Sequence, residues 1–158
     1  MKVRKDSPGV FIPPPLIYVA LFLLSFVLQG YFTIKKAFFF HNRIANIIGL
    51  LIIITGLVFS FLALRQFLKT RNTIVLIKPA SSLQRSGIYS ISRNPMYLGL
   101  MLIYLGMALI FGNWWTIILI PVLFLLIQYF VILPEEKYLS RAFGKAYADY
   151  KEKTGRWI

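Results

Sequence analysis

Residues 96–133 decide the fold, because two apolar runs there are joined by one short polar turn. They read MYLGLMLIYLGMALIFGNWWTIILIPVLFLLIQYFVIL, and the turn is Gly112-Asn113. An apolar helix of about 20 residues crosses the roughly 30 Å hydrocarbon core of a bilayer. The runs 96–111 and 114–133 therefore predict two membrane helices that fold back as a helical hairpin. Pro121 predicts a kink in the second of them.

Two further apolar runs, 16–34 and 44–67, precede the hairpin. The first is longer than the apolar core of a signal peptide, so it is expected to stay as an anchor helix. The second contains Gly49, Thr55 and Gly56, small residues that let a neighbouring helix approach closely. The chain is thus predicted to be an all-α integral membrane protein with four transmembrane helices in a single domain, 1–158.

The composition supports the membrane assignment and excludes several kinds of chemistry. Hydrophobic residues make up 58% of the 158 residues, whereas roughly 45–50% is usual for a soluble domain. There is no cysteine, which excludes a disulfide, a thiolate nucleophile and a cysteine-ligated metal. The sole histidine, His41, cannot supply a multi-histidine site, so no metal is expected.

The net charge of +13 is explained better by membrane orientation than by nucleic acid, which is not an expected partner. Of the 18 Lys and Arg residues, only Lys35, Lys36 and Arg43 lie between the first two runs. The other 15 lie on the opposite side, with three before the first run, six from Arg65 to Arg93 and six after Leu133. The positive-inside rule then places both termini and the loop 69–95 in the cytosol, with the protein spanning the cytoplasmic membrane several times. His41 falls on the other side and is expected to be solvated.

The segment 134–158 is polar but keeps a helical pattern. Its apolar residues recur at three- and four-residue spacings, namely Tyr138, Leu139, Phe143, Tyr147 and Tyr150. Such a stripe is typical of an amphipathic helix on a membrane surface or against a loop. We therefore expect a C-terminal amphipathic cytosolic helix, with Trp157 near its end as an interfacial anchor.

Two polar clusters bracket the hairpin, one at each end. Residues 93–99 precede the first arm as Arg-Asn-Pro-Met-Tyr-Leu-Gly, and 134–136 follow the second arm as Pro-Glu-Glu. A hairpin brings its two ends together. One pocket is therefore expected to hold an arginine, an asparagine, tyrosines and two carboxylates beside an apolar wall.

The same residues carry a family resemblance. Gly87-Ile88-Tyr89, the run 93–99, Glu135-Glu136, Phe143-Gly144, Tyr147 and Tyr150 together resemble the isoprenylcysteine carboxyl methyltransferase and phospholipid methyltransferase superfamily. The match covers roughly the C-terminal half of the chain. Asn94 stands where the carboxyl methyltransferases commonly have histidine, and Asn-Pro-Met-Tyr is more like the phospholipid branch. This difference at Asn94 bears on the identity of the substrate more than on that of the cofactor.

The resemblance implies that S-adenosyl-L-methionine binds at the cytosolic face, enclosed by 69–95 and 134–158, and leaves as S-adenosyl-L-homocysteine. Its ammonium, carboxylate and adenine suit carboxylates, an arginine and aromatic rings. The catalytic residues implied are Arg93 and Glu136. The cofactor-binding residues implied are Tyr89, Arg93, Asn94, Pro95, Tyr97, Leu98, Gly99, Glu135 and Glu136.

The charged and polar residues of this set also have structural explanations. Glu135 and Glu136 can be first-turn carboxylates favoured by a helix dipole, although two adjacent acids among only five in the chain favour a function. Arg93 can be one more cytosolic charge. Asn94 and Pro95 form a typical helix start, with the asparagine side chain as cap and the proline in the first turn.

The aromatic and glycine residues have structural explanations too. Tyr89 and Tyr97 suit an interfacial aromatic belt as well as a cofactor contact. Gly99 and Gly106, seven residues apart, suit close helix packing. Three others, Tyr147, Tyr150 and Trp157, are expected to pack or to anchor the chain at the interface.

The leading functional hypothesis is methyl transfer to a lipophilic or prenylated substrate that enters from the membrane lipids. We favour O-methylation of the carboxylate of an isoprenoid or lipid-like acid, for which Arg93 or Arg156 would supply a cation. N-methylation of a phospholipid head group is the alternative, and it would need a base, for which Glu135 or Glu136 could serve. A non-catalytic lipid-binding scaffold is the third possibility, and the oligomeric state is left open.

Overall fold

The structure is a computed structural model that describes residues 9–10, 12–34, 42–69 and 82–158. Within these ranges the chain forms helices and turns and no β-strand. Its helices are α1 (Pro14–Tyr31), α2 (Arg43–Lys69), α3 (Pro95–Phe111), α4 (Trp114–Ile118), α5 (Ile120–Ile127), α6 (Leu133–Phe143) and α7 (Lys145–Lys153). A 3₁₀ turn spans Gly87–Ser90, and a π-helical turn, Gln128–Ile132, joins α5 to α6.

Three helical stretches of the described part are long and apolar enough to cross a membrane. They are α1, α2 and the continuous stretch Trp114–Phe143. The helix α3 is apolar but has only 17 residues. The all-helical prediction is confirmed, and the chain is a multi-pass membrane protein. His41 and residues 70–81 of the predicted loop lie outside the described residues.

The helices α2 and α3 pack backbone to backbone through paired glycines. A Cβ atom added to Gly56 would lie 2.6 Å from the carbonyl oxygen of Gly99, and one added to Gly49 would lie 2.9 Å from that of Gly106. Real side chains do not tolerate such distances. The glycine spacing therefore marks close helix packing, as predicted from Gly99 and Gly106, and the partner of α3 at this contact is α2.

The turn between α3 and α4 reverses the chain within two residues. Gly112 adopts a left-handed conformation, with φ of 60°, and its amide donates to the carbonyl of Ala108 at 3.1 Å. The side-chain oxygen of Asn113 then accepts from the amide of Trp115 at 3.0 Å and caps α4. A glycine C-cap followed by an asparagine N-cap is a compact way to join two helices. The predicted hairpin is confirmed.

The helix α1 is tied to both ends of the hairpin by hydrogen bonds. At one end, the Tyr18 hydroxyl donates to the carbonyl of Tyr97 at 3.0 Å. At the turn, Ser25 shares a hydrogen bond of 2.8 Å with Thr116 and accepts from the side-chain amide of Asn113 at 3.2 Å. Polar bonds between apolar helices fix their register. The first helix is thus an integral part of the fold.

The second arm of the hairpin is a longer helix than the predicted span 114–133. Its regular pattern is broken for one residue at Leu119, two residues before Pro121, but the amide of Leu123 still donates to the carbonyl of Leu119 at 2.8 Å. The kink at Pro121 stays a prediction. The arm does not end at Leu133, because the helix continues to Phe143. A proline ring clashes with the carbonyl four residues earlier in a regular α-helix, and the wider π-helical turn before Pro134 carries the chain past that clash.

The C-terminal segment is two helices and not one. Gly144, with φ of 50°, separates α6 from α7. The tyrosines that formed the predicted apolar stripe, Tyr138, Tyr147 and Tyr150, are buried against the rest of the chain. Lys145 and Lys151 of α7 are exposed. The stripe thus packs against protein, where the sequence left membrane and loop as alternatives.

Candidate active site

Glu136 is the centre of a buried ion-pair network. Both oxygens of its carboxylate accept from the Arg156 guanidinium, from Nε and Nη2, each at 2.9 Å. The Nη1 atom of Arg93 lies 3.0 Å from Glu136 Oε1. Glu136 is only 8% exposed, and bidentate pairing of this kind is strong and directional. Hydrogen bonding to Glu136 raises the pKa of Arg156, which stays charged.

The last residues of the chain fold back over the start of α3. The carbonyl of Gly155 accepts from the amide of Arg93 at 3.0 Å. The carbonyl of Arg156 accepts from the side-chain amide of Asn94 at 2.9 Å and from the hydroxyl of Ser92 at 3.4 Å. We call residues 154–158 the C-terminal strap. Its backbone is held by the very residues that precede the hairpin.

Asn94 does not cap α3 with its side chain, contrary to the prediction. The side-chain amide is used instead to bind the C-terminal strap, and the Asn94 backbone amide donates to the hydroxyl of Ser92 at 3.1 Å. Pro95 does occupy the first turn of α3, as predicted. The asparagine therefore links two distant segments.

The other carboxylate of the pair, Glu135, points elsewhere. Its Oε2 atom accepts from the Tyr97 hydroxyl at 3.0 Å. Among the described residues it takes part in no ion pair, since both salt bridges there belong to Glu136. Successive helical residues diverge by about 100°, so the two carboxylates face different surroundings. They also do not lie at a free helix N-terminus, because the helix runs through them without a break.

Three tyrosines surround Arg93 on the side of α7. The Tyr150 hydroxyl donates to the carbonyl of Tyr89 at 2.6 Å, and Arg93 Nη1 donates to the Tyr147 hydroxyl at 3.3 Å. Burial raises the pKa of Tyr89 and of Tyr150 above the ordinary value for tyrosine. Burial and the nearby Glu136 carboxylate also raise the pKa of Tyr147. These hydroxyls therefore stay protonated at neutral pH.

A small cavity lies where these groups meet. It has a free volume of about 40 Å³ and is lined by Phe67, Tyr89, Arg93, Asn94, Pro95, Met96, Tyr97 and Glu135. The Nε atom of Arg93 is buried and has no hydrogen-bond partner in the part of the chain that the structure describes. A buried donor without a partner is costly. It therefore marks a place where a ligand with an acceptor would gain affinity.

The structure brings together six of the residues that the resemblance singled out: Tyr89, Arg93, Asn94, Pro95, Tyr97 and Glu135. Three others do not line the cavity. Gly99 faces α2, Leu98 is half-buried on α3, and Glu136 lies behind Arg93. Phe67 and Met96 line the cavity and were not anticipated. Met96 lies inside the quoted motif, whereas nothing in the local sequence marked Phe67.

With this geometry established, comparison with known proteins identifies the class. The sequence pattern of the phospholipid methyltransferase family matches residues 44–146, well over half of the chain. The chain belongs to this family, and so to the superfamily that joins it with the isoprenylcysteine carboxyl methyltransferases. Both polar clusters of the hairpin lie inside the matched range.

Two individual relatives can be named. The chain is 32% identical over 118 residues to protein-S-isoprenylcysteine O-methyltransferase of Saccharomyces cerevisiae, covering 72% of this chain and 48% of that protein. It thus spans about half the length of the yeast relative. It is 41% identical over 63 residues to an uncharacterized protein of Haemophilus influenzae, which is 40% of this chain and 100% of that protein. No solved structure matches.

Proposed function

We propose that the protein is a membrane methyltransferase that uses S-adenosyl-L-methionine to methylate a lipophilic substrate at the cytosolic face. The observation that carries the proposal is the cavity at the joined ends of the hairpin. There a guanidinium, an unpaired carboxylate and aromatic rings converge in a chain of a methyltransferase family. The proposal includes α3 as a fourth span, the cytoplasmic membrane as location, both termini in the cytosol, and a single domain.

The groups at the cavity fit this cofactor chemically. Among the described residues the Glu135 carboxylate accepts a hydrogen bond from Tyr97 and forms no ion pair, so it suits an ammonium group. The unpartnered Nε of Arg93 suits a carboxylate. The rings of Tyr89 and Phe67, 5.7 Å apart, offer an apolar wall to adenine. When bound, the cofactor supplies a methyl group already activated on a sulfonium centre.

We assign Arg93 a direct contact with the reactants and Glu136 a positioning role. The Glu136 carboxylate is occupied by Arg93 and Arg156. Because of this it fixes the orientation of both guanidinium groups. Correct placement of reacting groups is the main task of a protein whose methyl donor is already activated, and the aromatic wall excludes water.

The site has to widen before a nucleoside-sized ligand enters. Ligand pockets usually hold about 300 Å³ or more, whereas the free volume here is about 40 Å³. The C-terminal strap is the segment we propose to move, because its backbone covers Arg93 and Asn94. Its movement would also break the ion pair between Arg156 and Glu136. Trp157 fastens the strap by stacking on Phe124, with ring centroids 5.3 Å apart. The strap would then close again over the bound ligand.

An apolar groove is available for the hydrocarbon part of the substrate. It has a free volume of about 440 Å³ and is lined by Gly9, Val10, Ile12, Ile17, Leu126, Phe130 and Val131. Val131 and Val10 belong to the same core cluster as Tyr97, which lines the polar cavity. The groove and the polar cavity thus border on the same buried core, and we propose that a lipid chain in the groove reaches the reaction site along it.

We favour a carboxylate as the methyl acceptor. Two guanidinium groups, Arg93 and Arg156, lie together, and Arg156 is the more accessible, with a third of its side chain exposed. Cations of this kind hold and orient a carboxylate, which needs no deprotonation. Methylation of a phospholipid amine is the second candidate. The unpaired Glu135 favours it, because an ammonium must first lose a proton to a base.

Methyl transfer measured directly on lipid-reconstituted protein tests the proposal. Labelled cofactor is supplied with two acceptor classes, a prenylated cysteine acid and phosphatidylethanolamine. We expect label in the methyl ester of the acid. Label in phosphatidylethanolamine would favour the second candidate, methylation of a phospholipid amine. Saturable cofactor binding with no transfer to a broad acceptor panel would favour the lipid-binding scaffold.

A further inference from the structure

A second polar cleft lies outside the proposed methyl-transfer site. It has a free volume of about 380 Å³ and is lined by Arg85, Ser90, Asp149, Tyr150, Lys153 and Thr154. Two separate parts of the chain form it, namely the residues around the 3₁₀ turn and the helix α7 with Thr154, the first residue of the C-terminal strap. It shares no lining residue with the small cavity beside Glu135.

The two sites are neighbours separated by one hydrogen bond. The Tyr150 hydroxyl, on the cleft side, donates to the carbonyl of Tyr89, on the cavity side, at 2.6 Å. Anything that ties the 3₁₀ turn to α7 therefore also holds the wall of the cavity. The cleft is thus placed to stabilise the proposed site without taking part in its chemistry.

The charges of the cleft are not neutralised within it. Arg85 and Lys153 are exposed, and neither takes part in an ion pair among residues 9–10, 12–34, 42–69 and 82–158. Asp149, on the same lining, therefore lies beyond salt-bridge distance of both. Ser90 and Thr154 also line the cleft, and the Ser90 hydroxyl donates to the carbonyl of Gly87 at 2.8 Å. The cleft thus offers two cations and one separate carboxylate.

This combination matches one kind of ligand better than a simple anion. A phosphodiester suits the guanidinium and the ammonium, whereas a bare phosphate would also meet the repulsion of Asp149. If the head group carries an amine or a hydroxyl beyond its phosphodiester, the Asp149 carboxylate binds that group. Ile91, next to Ser90, is 51% exposed, so an apolar surface adjoins the polar cleft. A phospholipid has all of these parts.

We propose that this cleft binds the head group of a membrane phospholipid, with the phosphodiester on Arg85 and Lys153 and the amine or hydroxyl on Asp149. The lipid is a bound component and not the methyl acceptor, so this site does not depend on the proposed function. Binding holds the 3₁₀ turn against α7. Basic residues at a membrane surface attract anionic lipids generally, and the experiment must separate that attraction from a built site.

Native mass spectrometry of the full chain in detergent, titrated with phosphatidylglycerol, measures the affinity. We expect the double variant Arg85→Gln, Lys153→Gln to weaken binding at least tenfold. The matched control is Lys145→Gln, Lys151→Gln, which removes the same charge from exposed positions of α7 that do not line the cleft. It is expected to change the affinity less than twofold. Equal losses in both double variants would overturn the proposal in favour of diffuse attraction.

A second test uses Asp149→Asn, which is expected to change the affinities for two lipids in opposite directions. We expect it to weaken the binding of phosphatidylethanolamine and to strengthen that of phosphatidic acid, which has a phosphate but no amine or hydroxyl beyond it. Inorganic phosphate at millimolar concentration should not displace the lipid. Full displacement, or the same effect of Asp149→Asn on both lipids, would show a site for phosphate alone and contradict the assignment to a lipid. Unchanged melting temperatures without added lipid verify that the variants are folded.

Discussion

The hydroxyl of Tyr97 donates a hydrogen bond of 3.0 Å to Glu135, 38 residues further along the chain. Tyr97 is in the first turn of α3, and Glu135 follows the second arm of the hairpin, so the bond exists only because the hairpin closes. It holds in place a carboxylate that, in the described part of the chain, has no cationic partner. The proposed cofactor site is built on this pair.

Tyr97→Phe is expected to weaken cofactor binding modestly, by about three- to tenfold. It removes one hydrogen bond, worth about 1 kcal/mol, and leaves the aromatic ring in the core. Equilibrium binding of S-adenosyl-L-homocysteine measures the effect. Tyr129→Phe is the matched control, since Tyr129 is 60% exposed on the π-helical turn, and it should leave the affinity unchanged. Equal affinities in the two variants would remove Tyr97 from the site.

Glu136→Gln is expected to destabilise the protein as well as weaken binding. Removing one partner of a buried ion pair costs about 3–5 kcal/mol, because it leaves an uncompensated charge. Here the stranded charge is Arg93, whose side chain is 8% exposed. Denaturant unfolding in detergent measures the loss. Arg156→Gln should cost less, because Arg156 is partly solvated and Arg93 still pairs with Glu136. If Glu136→Gln unfolds like the wild type, the network has no stabilising role.

Gly56→Ala is expected to destabilise the contact between α2 and α3. The new methyl group would lie 2.6 Å from the carbonyl oxygen of Gly99, a backbone atom that cannot move aside. Overpacking of this kind costs about 1–3 kcal/mol, measured as a lower melting temperature. Gly30→Ala is the control, because nothing lies within 4 Å of the added atom. Two equal melting temperatures would mean that the glycine contact is not needed.

Movement of the C-terminal strap predicts a fluorescence change at Trp157. The chain has three tryptophans, so Trp114→Phe and Trp115→Phe leave Trp157 as the only one. Leaving the stacked contact with Phe124 alters the surroundings of its ring. We expect a saturable shift of its emission when S-adenosyl-L-homocysteine is added. An emission spectrum that stays constant while binding is seen calorimetrically would show that the strap does not move.

Filling the apolar groove should affect the lipid substrate and not the cofactor. Leu126→Trp places a larger ring in the groove, so KM for a prenylated acceptor is expected to rise at least fivefold. Leu125→Trp, at an exposed neighbouring position of α5, is the control and should leave KM unchanged. The affinity for S-adenosyl-L-homocysteine should stay constant in both. Equal KM values in the two variants would place the hydrocarbon chain elsewhere.

Features written in local sequence could be predicted, and those made by distant segments could not. Apolar runs, Gly112-Asn113 and the glycine spacing are local, and they gave the hairpin and the helix packing. The continuation of the helix beyond Leu133 depends on a π-helical turn, which no residue type in the sequence predicts. The use of Asn94 as a partner of the C-terminal strap depends on a carbonyl 62 residues away.

In the candidate site too, local motifs could be predicted from the sequence and contacts between distant segments could not. The motif and the hairpin together brought Arg93, Tyr97 and Glu135 to one place. Sequence alone could not distinguish Glu135 from Glu136, because they differ in the groups that each one contacts. Glu135 accepts a hydrogen bond from Tyr97, whereas Glu136 pairs with Arg93 and Arg156.

The measurement that tests the central claim most directly is the affinity of S-adenosyl-L-homocysteine for the purified wild-type protein and for Glu135→Gln. The amide cannot pair with an ammonium as a carboxylate does, so we predict saturable binding to the wild type and at least a tenfold loss in the variant, about 1.4 kcal/mol. Glu152→Gln, at an exposed position of α7, should bind like the wild type. No saturable binding to the wild type, or full affinity in Glu135→Gln, would contradict the account.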